Sequence, residues 1–325
     1  MAGNGTGQLH EAFGRPGMAP RWTSSSKEGV GTAYSTSSRV WFTLSHGILN
    51  EIYFPTIDHP QTRDMQFLIT DGATFFHEER RDLDSGIESI EADALGYRVT
   101  TWDRDHRYRL VKEIISDPHQ SCVLINTRLE GVPECLKKLR IYALLAPHLG
   151  VGGYGNSARR FKTAGQNVLI AWKAGKFLAM GANVGFNRTS CGFVGHSDGW
   201  QDLHKDFHLD WEFDKAEDGN VAIIGEVNLA GGREFTVGIA FGDSLHGAVT
   251  VLQQSLAIPF AQHRAKFVDQ WHRTCSGMKK LDGMSGDQGT LYRISRNLLL
   301  AHEDKTFAGA LIASASIPWG NAMGD

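Results

Sequence analysis

The stretch Met65-Gln66-Phe67-Leu68-Ile69-Thr70-Asp71-Gly72-Ala73-Thr74-Phe75-Phe76 places two apolar runs on either side of Asp-Gly. Asp-Gly supplies the positive backbone angles of a tight turn, so strand–DG–strand predicts a β-hairpin. The pattern repeats outward. Ile48 to Phe54, closed by Pro55, is a strand candidate, as are Tyr97 to Trp102, Tyr108 to Ile115, Ser121 to Leu129 and Leu139 to Leu145. Asn167 to Trp172, Phe177 to Met180, Phe207 to Phe213, Val221 to Asn228 and Glu234 to Phe241 follow. Gly, Asn or Asp punctuates almost every gap. Such spacing predicts roughly 15 strands, more than an immunoglobulin-sized sandwich holds, and hence one large antiparallel double sheet rather than βαβ units.

Before these strands, residues 1 to about 38 are rich in Gly, Ser, Thr and Pro and predict an extended arm on the surface. After them, near Ser255, the period changes. Phe260, Phe267, Val268, Trp271 and Cys275 fall on one helical stripe, with Pro259 near the first turn. The polar run 281–287 closes this helix. A second helix is expected from about Gln288 to His302, with Leu291, Ile294, Leu298 and Ala301 on its apolar stripe. Three regions result: 1–255, a β domain with its arm; 256–287, a helical linker; and 288–325, the start of something further.

Bulk properties narrow the function. The net charge is -3, with 33 basic and 36 acidic residues, so no basic field exists to meet a nucleic acid. No apolar run approaches the ~20 residues of a membrane span. The segment 1–7 has neither a basic nor an apolar signal region, which favours a cytoplasmic place for the chain as written. Four cysteines (Cys122, Cys135, Cys191 and Cys275) form no CxxC pair, and free buried thiols are expected.

Several motifs then converge in order along the chain. They are Pro20-Arg21-Trp22-Thr23, Gly29-Val30-Gly31-Thr32, residues 39–51 with Thr62-Arg63-Asp64, residues 195–203 beginning Gly195-His196-Ser197-Asp198, Asp218-Gly219-Asn220-Val221, His302-Glu303-Asp304-Lys305, and residues 312–320 ending Ile317-Pro318-Trp319-Gly320. Together they resemble the prokaryotic glucoamylases and glucodextranases of glycoside hydrolase family 15. The resemblance implies a β super-sandwich, a linker helix, and the first helix of a truncated (α/α)6 barrel. It implies an inverting, exo-acting hydrolase that releases glucose from the non-reducing ends of α-glucans or maltooligosaccharides. Its general acid and base would be glutamates beyond Asp325, so no catalytic residue is assigned in this chain, and the chain alone is expected to be inactive. Its partners would be the substrate and, by intramolecular packing, the missing barrel. No metal or other cofactor is implied. Ala315, where the family carries a bulkier residue, is a small departure. The alternatives are a glucodextranase or other α-glucosidase, and a non-catalytic carbohydrate-binding or structural sandwich.

Local candidates are weaker. Glu78-Glu79 and Glu88/Glu91 are carboxylate clusters, but adjacent residues on a strand point to opposite faces, and a solvated edge is favoured. His196, Asp198, Asp202, His204, Asp206 and His208 fit no metal-binding frame, and a polar connection between strands is favoured. Gly150-Val151-Gly152-Gly153-Tyr154-Gly155 lacks the Lys-Ser/Thr of a P-loop and reads as a flexible loop. His46, Glu51, Asp58, His59, Arg63 and Asp64 form a dense polar group that either lines the barrel-facing side or makes ordinary loop hydrogen bonds. Trp319 is the one substrate-binding candidate, because glucose rings stack their C–H faces on aromatic side chains.

Overall fold

The hairpin forms. Thr62–Thr70 pairs antiparallel with Phe76–Glu78, matching Ile69 to His77. The Asp71 carboxylate accepts from the amides of Ala73, Thr74 and Phe75 and from the Thr74 hydroxyl, while Gly72 takes φ +76°. These bonds hold the Asp71 carboxyl well below the usual range despite the opposing effect of burial.

The computed structural model describes residues 9–284 and 286–317. Its first strands are β1 (Gly29–Thr32), β2 (Trp41–Ser45), β3 (Ile48–Tyr53), β4 (Thr62–Thr70), β5 (Phe76–Glu78) and β6 (Leu83–Ser89). Then come β7 (Tyr97–Asp103), β8 (Tyr108–Ser116), β9 (Cys122–Gly131), β10 (Arg140–Pro147), β11 (Asn156–Thr163) and β12 (Gln166–Lys173). The last are β13 (Lys176–Ala182), β14 (Phe186–Phe193), β15 (Lys215–Gly219), β16 (Val221–Val227) and β17 (Glu234–Gly242). They make two antiparallel sheets. One runs β1-β2-β3-β4-β10-β16-β14, with β5 also on β4; the other runs β15-β11-β12-β13-β17-β9-β8-β7-β6.

The inner faces of both sheets fill one core. Phe67 of the first sheet meets Phe235 of the second edge-on at 5.6 Å, and Phe54 stacks on Phe241 at 5.4 Å. Each such ring, fully buried, contributes about 1.5–3 kcal/mol. The outer face of the nine-stranded sheet has a second core beneath helices α4 (Leu245–Ala257) and α5 (Phe260–Ser276). A Cβ on Gly238 would come within 2.8 Å of Leu252, so glycine there lets α4 close on β17. The stripe expected from Phe260 to Cys275 holds: Phe267, Trp271 and Cys275 are buried, and Trp271 Nε1 donates to the Thr32 carbonyl at 3.0 Å. All four cysteines are free. Cys122, Cys191 and Cys275 are buried, and burial pushes the Cys122 and Cys191 thiols up.

Several expectations are corrected. Residues Phe207 to Phe213 join no ladder among the described residues. Their amides go instead to side chains: Asp210 and Trp211 donate to Asp202, and Phe213 donates to Ser190. The arm is more than a surface feature, since Trp22 is 1% exposed and the arm's end is strand β1, paired with β2. Helix α6 (Thr290–Ala301) exists, but its expected stripe does not all face inward. Asn297 and Ala301 are buried, whereas Leu291 is 67% and Ile294 39% exposed. Asn297 earns its place by accepting from Arg296 Nε at 3.0 Å and from the Cys275 thiol at 3.4 Å.

Candidate functional site

Two places gather the polar residues that the sequence singled out. The first lies where the chain after α6 returns to the sandwich. Asp304 accepts from the Ile57 amide at 3.0 Å with one oxygen and from Thr306 and Phe307 with the other. Lys305 Nζ donates to Thr32 Oγ1 at 2.6 Å and the Ser38 carbonyl at 2.5 Å, and sits 4.7 Å over the Trp41 ring. Burial pushes this amine well below the ordinary lysine range. Ile312 packs on Trp41, Tyr53 and Ile57. A cleft of about 670 Å³ opens beside this fastening, bordered by Asp58, His59, Lys176, Phe307 and Leu311. Asp58 and His59 share the Thr56 hydroxyl at 2.6 and 2.7 Å, and that hydroxyl holds Asp58 below the usual carboxylate range. The motif His302 to Lys305 was visible in the sequence. Its fastening role was not, because its partners lie more than 240 residues earlier.

The second place is a cleft of about 640 Å³ on the eight-stranded sheet. Arg21 and Trp22 come from the arm, Arg63, Asp64 and Gln66 from β4, Glu78 from β5, and Arg80 and Arg81 from the single turn α1 (Glu79–Asp82). A second single turn, α2 (Pro133–Leu136), lies elsewhere. Helix α3 (Gly199–Asp206) closes one side of the cleft. The expected polar connection here is thus a capped helix. Asp198 is its N-cap, accepting from Trp200 and Gln201 at 2.9 and 3.2 Å and from the Gly195 amide. Asp198→Ala is expected to cost about 1–2 kcal/mol of unfolding free energy in urea titration. His204 stacks on Trp200 at 4.6 Å, and His208 turns back to the Asp206 carbonyl. Among the described residues, no group of three or more His, Cys, Asp or Glu gathers to hold a metal.

Glu78 and Glu79 correct the solvated-edge expectation, being 6% and 1% exposed. Glu78 accepts from Gln66 Nε2 and Trp200 Nε1, each at 3.1 Å. Glu79 pairs with the buried Lys112. Glu88 and Glu91 do pair with arginines near the surface, Arg98 and Arg264. The group from His46 to Asp64 divides. His46 receives the Glu28 carboxylate on its amide. Glu51 is fully buried among Thr23, Thr43 and Lys27, Asp58 and His59 lie in the first cleft, and Arg63 and Asp64 line the second. Hydrogen bonds within the chain hold the glycine loop. Its Gly150 amide donates to Gln61, and Asn156 bonds the carbonyls of Gly152 and Gly153 and the Leu149 amide. Trp319 lies outside the described residues.

Behind the loop, His148 is fully buried, and burial pushes its ring down to about 3, with Arg63 and Lys173 adding like-charge repulsion. The unfolded chain takes up this proton near pH ~6.5, so His148 lowers stability as pH falls from about 6.5 toward 3 and adds no slope above. Unfolding free energies at pH 7 and about pH 4.5 should therefore differ less in His148→Gln than in the parent. An equal loss in both would contradict the burial of a neutral ring.

Two antiparallel sheets packed as a sandwich, with helices α4 and α5 on one outer face, define the class as a large β-sandwich domain. The chain belongs to the family described as glucodextranase, domain N, whose model matches residues 12–276. A glucoamylase from Clostridium sp. (strain G0005) is 32% identical over 314 residues, covering 97% of this chain and 44% of that protein. The crystal structure of a bacterial glucoamylase complexed with acarbose matches with a TM-score of 0.93 at 30% identity, over 97% of this chain and 46% of that one. A glycosyl hydrolase of family GH92 shares the fold at a TM-score of 0.52 and 11% identity, over 91% of this chain and 41% of that one. The chain therefore spans less than half the length of the curated relative that it matches. No helix among the described residues is long and apolar enough to cross a membrane.

Proposed function

We propose that this chain is the N-terminal part of an inverting, exo-acting α-glucan hydrolase of the glucan 1,4-α-glucosidase type. In this reading residues 1–255 form the sandwich domain, 256–287 the linker, and 288–325 the start of an (α/α)6 catalytic domain. The α-glucan or maltooligosaccharide is bound and cut in that following domain, whose two carboxyl groups act as general acid and general base. The family membership and the two glucoamylase likenesses support the reading.

One observation carries the division of labour. Thirteen large apolar side chains are exposed among the described residues, and six of them lie within 284–311: Met284, Leu291, Ile294, Leu299, Phe307 and Leu311. Apolar side chains so concentrated in one segment call for a cover, and the catalytic domain is the cover proposed. The exposed aromatics do not favour a carbohydrate-binding module. Phe13, Tyr34, Tyr154 and Phe307 all stand outside the strands and make no row across a sheet face.

Amide exchange tests the seat. Residues 290–301 should exchange at least about tenfold more slowly in a chain continued through a glucoamylase catalytic domain than in the 325-residue chain. Equal exchange in both would sink the proposed packing.

A further inference from the structure

We propose that the arginine-lined cleft on the eight-stranded sheet binds a small oxyanion-bearing ligand, held by guanidinium groups from three separate elements. The inference goes beyond α-glucan hydrolysis and does not depend on it.

The cleft brings together Arg21 of the arm, Arg63 of β4, and Arg80 and Arg81 of α1. Like charges repel at such proximity, and the chain as a whole carries a net charge of -3, so composition alone does not produce this gathering. The carboxylates of the same cleft do not neutralise it well. Glu78 is occupied by Gln66 and Trp200, and Asp198 by three backbone amides. Arg63 meets Asp64 only at 3.6 Å, and Arg81, 70% exposed, meets Glu78 at 3.4 Å. Among the described residues, no hydrogen bond or ion pair engages the guanidinium groups of Arg21 and Arg80. Four guanidinium groups thus outnumber the three carboxylates of the cleft, Asp64, Glu78 and Asp198.

A lone arginine on a surface is ordinarily just solvated. Here two further donors lining the cleft argue otherwise, namely Arg63 Nε and Trp22 Nε1. Both are buried without a partner, and Trp22 is only 1% exposed. Unpartnered buried groups are costly, and two at one cleft mark a place built to bind. A neutral sugar offers hydroxyls that donate as readily as they accept, and leaves the charge unmatched. Phosphate or carboxylate oxygens accept only, and match the planar fork of arginine. The cleft volume, about 640 Å³, suits a small metabolite.

The test is calorimetric titration of the 325-residue chain with inorganic phosphate, glucose 6-phosphate and citrate, with maltotriose as the neutral control. At least one oxyanion should bind saturably at one site, more weakly as salt rises. The double variant R21Q/R80Q should weaken binding about tenfold or more, with its circular dichroism and unfolding midpoint unchanged. Preference for the phosphates would identify a phosphate ligand, and preference for citrate a carboxylate; either supports the site. The proposal is overturned if no oxyanion binds below about 10 mM, if R21Q/R80Q binds as the parent does, or if only maltotriose binds.

Discussion

Lys112→Met is expected to destabilise the chain by about 3–5 kcal/mol, the largest effect of any single substitution considered for its stability. Lys112 lies on β8 of the nine-stranded sheet with 2% of its side chain exposed. Its Nζ donates to Glu79 Oε1 at 2.5 Å and to the Gly47 carbonyl at 2.6 Å. Glu79 also accepts from Thr101 Oγ1 at 2.8 Å and, with its other oxygen, from the Phe67 amide at 2.7 Å. Thr101 belongs to the nine-stranded sheet, while Phe67 and Gly47 belong to the eight-stranded sheet and its β2–β3 turn. The pair thus fastens the two sheets where the chain crosses between them. Removing the cation leaves a buried carboxylate uncompensated, which costs more than the pair itself contributes. The double variant Glu79→Gln/Lys112→Met should therefore recover part of the loss. Urea unfolding with an unchanged slope measures both. A cost below about 1 kcal/mol for Lys112→Met would show that the pair is no lock.

Which parts of this were legible depended on how local the physics is. The hairpin at 65–76 was readable because its signals, alternation and an Asp-Gly turn, lie within a dozen residues, and the bonds of Asp71 are all within four positions of it. Residues 207–213 alternate just as well. They fail to pair because Asp202 and Ser190 take their amides, a competition that alternation does not reveal. Strands β11 and β15 escaped notice because they are charged, Asn-Ser-Ala-Arg-Arg-Phe-Lys-Thr and Lys-Ala-Glu-Asp-Gly, so no apolar period marks them. The burial of Glu79 was invisible for a different reason. Its partner lies 33 residues away on β8 of the nine-stranded sheet. The candidate sites follow the same rule. Arg21, Arg63, Asp198 and Asn220 all stood in motifs already conspicuous in the sequence, yet only the fold brings those motifs to one cleft.

The remaining prediction has the largest functional effect, since it is all or none. Inverting hydrolysis needs two free carboxyl groups about 6.5–9.5 Å apart, one to protonate the leaving oxygen and one to activate water. In the clefts described, four carboxylates are tied down: Glu78 to Trp200 and Gln66, Asp198 to a helix end, Asp304 to the Ile57 amide, and Asp58 to the Thr56 hydroxyl, while Asp64 faces Arg63 at 3.6 Å. These four act as structural acceptors. In the proposed reading, the exposed apolar side chains of 284–311 seat the domain that supplies both. The direct measurement is glucose release from maltooligosaccharides and starch by the purified 325-residue chain, beside the same chain continued through a catalytic domain. The account predicts no measurable release from the former and turnover from the latter. Glucose release by the 325-residue chain at an ordinary enzymatic rate, about 1 s⁻¹ or more, would contradict it.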